Sequence, residues 1–124
     1  MRALVIDDSR AIRRLIGNIL RELGWEVTEA IHGLDGLNQL EMSGCPDLIL
    51  IDWNMPEMNG LEFIKAARAK PEYKEVLMMM VTTETEMDRM AQAFIAGANE
   101  YLMKPFDKCQ LLEKLQLLGV ETGV

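Results

Sequence analysis

Asp7-Asp8, Asp52, Thr82 and Lys104 are the side chains whose types could do chemistry together, because each stands at the end of a short apolar run. The runs are Ala3-Leu4-Val5-Ile6, Leu48-Ile49-Leu50-Ile51, Val76 to Val81, and Tyr101-Leu102-Met103. Taken singly, the polar residues have ordinary explanations. Asp8 or Ser9 can cap a helix, Asp52 can open a turn before Pro56, Thr82-Thr83 can start a helix, and Lys104 can be an exposed strand end. Brought together, carboxylates repel one another and raise each other's pKa values, an arrangement usually held for a cation. A carboxylate-rich, all-oxygen donor set with no Cys or His in the pattern points to Mg2+ and away from zinc.

The apolar runs supply the means of bringing these groups together. Each reads as a strand, and each is followed by a segment of helical periodicity. Ile12, Leu15, Ile16, Ile19 and Leu23 mark the buried face of a first helix ended by Gly24. Leu34, Leu37 and Leu40 mark a second, Leu61, Ile64 and Ala67 a third, Met87, Met90, Ala91, Phe94 and Ile95 a fourth, and Leu111, Leu112, Leu115 and Leu118 a fifth. Trp25 to Ile31 is a mixed stretch that suits an edge strand. The pattern is βα repeated five times, an α/β fold with a doubly wound parallel sheet and helices on both faces. Strand order 2-1-3-4-5 puts the apolar strands in the middle and the mixed second and short fifth strands at the edges. All carboxyl ends then share one sheet edge, with the first and third strands adjacent where ligands bind.

The 124 residues suit one domain over 1–124. No apolar run approaches the ~20 residues of a membrane span. The N-terminal apolar run stops at Asp7-Asp8, which is no signal peptide, so the cytoplasm is expected. A net charge of −7 argues against nucleic acid as a partner. Arg10, Arg13, Arg14 and Arg21 read as a solvated helix face. Cys45 and Cys109 fit no metal or disulfide spacing and read as buried or half-buried free thiols. His32 has no second histidine to share a metal. Met78-Met79-Met80 reads as core, because successive strand residues point to opposite faces and cannot converge on one ion.

Val5-Ile6-Asp7-Asp8-Ser9, Leu50-Ile51-Asp52-Trp53-Asn54-Met55-Pro56-Glu57-Met58-Asn59-Gly60, Val81-Thr82 and Tyr101-Leu102-Met103-Lys104-Pro105-Phe106 resemble the receiver domains of two-component response regulators. The likeness runs from Arg2 to about Leu118 and is nearest to the chemotaxis regulators. It implies a flavodoxin-like (βα)5 fold in which Asp52 takes a phosphoryl group from a phosphohistidine of a CheA-like sensor histidine kinase. It implies Mg2+ held by the Asp8 and Asp52 side chains and the Asn54 backbone carbonyl, with Asp7 acting through water. Lys104 and the Thr82 hydroxyl would contact the phosphoryl group, and a cis peptide would precede Pro105. Asn54 and Glu84 occupy the positions that tune dephosphorylation. Thr82 and Tyr101, read as neighbours on adjacent strands, would form a switch that reshapes the face made by the fourth helix, fifth strand and fifth helix. A flagellar motor switch protein would dock there on a monomeric regulator.

Other readings remain open beside this one. A dehalogenase-type phosphatase carries an acid two residues after its nucleophile, where this chain has Asn54. A flavin module needs a Ser/Thr/Gly-rich first loop, which Asp7-Asp8 would spoil by repelling the phosphate. The chain could also be the receiver part of a larger transcription factor or cyclic-dinucleotide enzyme.

Overall fold

The computed structural model describes residues 1–120, so residues 121–124 of the expected domain lie outside the described part. Five parallel strands form one sheet in the order β2-β1-β3-β4-β5. They are β1 (Arg2–Ile6), β2 (Glu26–Ala30), β3 (Leu48–Asp52), β4 (Leu77–Thr83) and β5 (Glu100–Lys104). The helices are α1 (Arg10–Glu22), α2 (Gly33–Ser43), α3 (Gly60–Arg68), α4 (Met90–Ala96) and α5 (Lys108–Leu117). Two 3-10 turns, Pro71–Tyr73 and Glu84–Arg89, precede β4 and α4.

Strand alternation divides the core cleanly. Leu4, Ile6, Ile49, Ile51, Met78 and Met80 face a cluster with Leu40 of α2, Phe63, Ile64 and Ala67 of α3, and Met90 and Ala93 of α4. Ala3, Val5, Leu48, Leu50, Met79, Val81 and Leu102 face Ile16, Ile19 and Leu20 of α1 and Leu111 and Leu115 of α5. The three central methionines are fully buried on alternate faces, as a core strand requires. Each fully buried Leu, Ile or Met contributes about 1.5–3 kcal/mol, so these three central strands carry most of the sheet's stabilisation. Among the described residues no helix is long and apolar enough to cross a membrane.

Four sequence expectations need correction. In α1 the buried stripe includes Leu20, while Leu15 lies on the margin and is exposed. In α4 only Met90 and Ala93 are buried, whereas Ala91, Phe94 and Ile95 face outward. The cause is the 3-10 turn over Glu84–Arg89. Its three residues per turn break the phase of an α-helical pattern extrapolated from Met87. Both cysteines are exposed, Cys45 in the α2–β3 connection and Cys109 in the first turn of α5. Arg13 is not merely solvated, since its guanidinium donates to the Asp7 carbonyl at 2.6 Å and to Glu29 at 3.2 Å. His32 proves to be the N-cap of α2, its Nδ1 accepting from the Asp35 N–H at 3.1 Å.

Candidate functional site

The register sets the site before any side chain is considered. Ile6 pairs with Ile51, so Asp7 and Asp52 stand side by side as β1 and β3 end. Asp52 pairs with Val81, which places Thr82 beside the chain leaving β3. Thr83 pairs with Lys104 at the end of β5. Ser9 caps α1, its hydroxyl accepting from the Ile12 N–H at 3.3 Å, while the Ser9 N–H donates to Asp7 Oδ1 at 2.8 Å. The chain leaving Asp52 is pinned by Gly60, whose N–H donates to the Trp53 carbonyl at 2.9 Å. A Cβ at Gly60 would lie 2.5 Å from the Asp52 carbonyl oxygen, so only glycine lets α3 begin this close. Asn59 and Glu62 form a reciprocal cap that fixes that helix start.

Lys104 closes the crevice. Its Nζ donates to Asp52 Oδ1 at 3.0 Å and to Asp7 Oδ2 at 3.2 Å. Asp7 and Asp52 are buried and Asp8 is exposed, yet each offers an oxygen within 4.8 Å of the others. Burial is the main reason the Asp52 carboxyl is pushed up to about 6. The neighbouring charge of Asp7, and less strongly that of Asp8, adds to the rise, while Lys104 opposes it. Asp7 is also raised, by burial first, against the Ser9 N–H and Lys104, which lower it. Burial alone would lower Lys104, but the hydrogen bonds and attraction of Asp52 and Asp7 outweigh it and hold the ammonium above its ordinary value. Three carboxylates against one ammonium leave a crevice with a formal charge of about −2, which disfavours itself unless a cation enters. The hard oxygen donors, open on the Asp8 side, fit Mg2+.

Thr82 is fully buried, and its hydroxyl donates to Glu86 Oε2 at 3.1 Å, with the Thr83 carbonyl a longer second acceptor at 3.3 Å. The Asn54 amide donates to Glu86 Oε1 at 2.5 Å. Glu86 is therefore a site-lining residue that sequence reasoning passed over, since Glu84-Thr85-Glu86 looks like a polar loop. Its one signal is the spacing of four residues from Thr82, which the 3-10 turn converts into contact. Glu84 and Asn54 are exposed. Tyr101 pairs with Met80 and not with Thr82, whose partner is Met103, so tyrosine and threonine are diagonal on one face of the sheet. The Tyr101 ring is half-buried, with Lys114 Nζ 3.9 Å from its centroid. The Lys104–Pro105 peptide is cis.

Residues 3–116 match the response regulator receiver domain family. The chain is 43% identical to the chemotaxis protein CheY1 of Helicobacter pylori over 119 residues, covering 95% of this chain and 96% of that protein. It is 43% identical to a chemotaxis protein CheY homolog of Campylobacter jejuni over 125 residues, covering 99% and 96%. Its structure superposes on the chemotaxis response regulator CheY4 of Vibrio cholerae with a TM-score of 0.87 at 37% identity, over 94% of this chain and 97% of that one. With the strand order and the acidic crevice, these likenesses establish that the chain belongs to the response regulator receiver domain family and is CheY-like in sequence and fold.

Proposed function

We propose that this protein is a CheY-like chemotaxis regulator that takes a phosphoryl group onto Asp52 from a CheA-like sensor histidine kinase. The observation that carries the reading is the ion-paired crevice in which Lys104 bridges Asp7 and Asp52 beside Asp8. The chemotaxis assignment is supported by the relatives matched over 96% of their length.

Asp8, Asp52 and the Asn54 carbonyl would hold Mg2+, which when bound offsets the charge of the phosphoryl oxygens. Asp7 orients the site, its carboxylate fixed between the Ser9 N–H and Lys104. The Asp52 carboxylate attacks phosphorus, an O–P bond forms, the N–P bond of phosphohistidine breaks, and the histidine keeps the electron pair. Lys104 turns from its carboxylate partners to a phosphoryl oxygen as a point charge. The Thr82 hydroxyl donates to another. Its movement toward Asp52 opens space that the diagonal Tyr101 ring enters, reshaping the surface of α4, β5 and α5. Phe94, Ile95 and Met103, all exposed, offer the apolar part of a docking face for a flagellar motor switch protein.

Two experiments test this reading. Trp53 is buried beside Asp52, and Trp25 precedes β2 on the other core face, so Mg2+ titration should change the emission of Trp53 alone. Asp8→Ala should weaken the Mg2+ midpoint by about tenfold or more, because one of the two anionic donors is lost. A midpoint equal to the parent's would place the metal elsewhere. Thr82→Ala should still be phosphorylated on Asp52 but bind the motor target no better after phosphorylation than before. Parent-like gain of binding would remove Thr82 from the switch.

A further inference from the structure

We infer that Glu86 is a positioning residue, a latch that holds the Thr82 hydroxyl and the Asn54 amide in the resting state and must yield them when Asp52 is phosphorylated. The inference rests on Asp52 being the phosphoacceptor. Glu86 is buried although its neighbours Glu84 and Thr85 are exposed, and each of its carboxylate oxygens accepts one bond. Oε2 takes the Thr82 hydroxyl at 3.1 Å and Oε1 takes the Asn54 amide at 2.5 Å. The two donors come from the chain segments that flank Asp52, one two residues beyond it and the other one residue beyond its register partner Val81.

A hydroxyl has one proton to donate. Thr82 can therefore serve Glu86 or a phosphoryl oxygen, but not both. Two anionic oxygens converging on that hydroxyl also repel each other at close range. Phosphorylation thus displaces Glu86 from Thr82, and the 3-10 turn Glu84–Arg89 that carries it leads directly into α4. The competition lowers the apparent affinity of the site for a phosphoryl-like ligand by the free energy of the resting-state bond. A hydrogen bond to a charged group is strong enough to matter on a tenfold scale.

The test is titration with trifluoroberyllate, a phosphoryl mimic, at fixed Mg2+, read by Trp53 emission in parent, Glu86→Ala, Glu86→Gln and Asp88→Asn. Asp88 is exposed on the same turn and controls for the loss of one negative charge. Glu86→Ala should lower the midpoint about three- to tenfold. Glu86→Gln, which keeps an acceptor for the hydroxyl, should shift it less in the same direction, and Asp88→Asn should stay within about twofold. In a Thr82→Ala background most of the Glu86→Ala effect should vanish, because the contested hydroxyl is gone. An unchanged midpoint in both Glu86 variants, an equal shift in Asp88→Asn, or an undiminished shift without the hydroxyl would each overturn the latch. A parent that binds the mimic and is phosphorylated while failing these comparisons loses only the latch. A parent that does neither loses the phosphoacceptor reading as well.

Discussion

Lys104→Met should lower the unfolding free energy by about 2–4 kcal/mol at pH 7.5 without Mg2+, since breaking a buried ion pair strands the surviving charges. The low end of that range is favoured because the lysine side chain keeps 20% of its surface exposed. Asp7 and Asp52 are both raised above 3.8 even with Lys104 present, and Lys104 lowers both, so its removal lifts them further. Between 3.8 and these raised values the folded state binds more protons than the unfolded chain, and stability increases as pH falls. The deficit of Lys104→Met should therefore be largest at alkaline pH, shrink as pH falls toward about 6, and stay small at pH 4.5. Urea unfolding at the two pH extremes checks this. Equal deficits would mean that lost packing of the lysine stem, and not its charge, is responsible.

Asp52→Asn should act in the opposite direction. At neutral pH the buried Asp52 carboxylate is ionised against a folded-state value of about 6, which costs the fold on the order of 3 kcal/mol. Asparagine keeps the shape without the charge. In Mg2+-free buffer at pH 7.5 the variant should melt several degrees higher than the parent. The gain should fade as pH falls below 6 toward 4, where the parent's carboxyl is protonated in the folded state and is becoming protonated in the unfolded chain. Adding Mg2+ should stabilise the parent above pH 6 and the variant much less, narrowing or reversing the difference. A variant less stable than the parent at pH 7.5 without Mg2+ would show that Asp52 is favourably paired and not frustrated. Groups poised at such a cost are found where function needs them.

Much of this was legible in the sequence because two simple periodicities carry it. Fully apolar runs such as Leu48–Ile51 can only be central parallel strands, and the polar residue at the end of each is delivered to one sheet edge. That reasoning brings Asp7, Asp8, Asp52, Thr82 and Lys104 to a common edge, and the bridging of Asp7 and Asp52 by Lys104 is the detailed form it takes. Local irregularity was not legible. The 3-10 turn over Glu84–Arg89 has no Gly or Pro to announce it, and it turned Phe94 and Ile95 outward while turning Glu86 inward. The register was not legible either: Tyr101, near the start of β5, falls opposite Met80, two residues before Thr82, whose partner is Met103. Such outcomes depend on how neighbouring elements pack, which no single run of residues encodes.

The central claim is that Asp52 accepts the phosphoryl group, and peptide mapping by mass spectrometry tests it most directly. The parent is incubated with Mg2+ and a small acyl-phosphate donor, digested under mild conditions, and compared with Asp52→Asn. One phosphoryl adduct should appear on the peptide containing Asp52 and be absent from the variant. Removing Mg2+ should suppress it. An adduct on any other residue of the parent, or equal labelling of Asp52→Asn, would contradict the account.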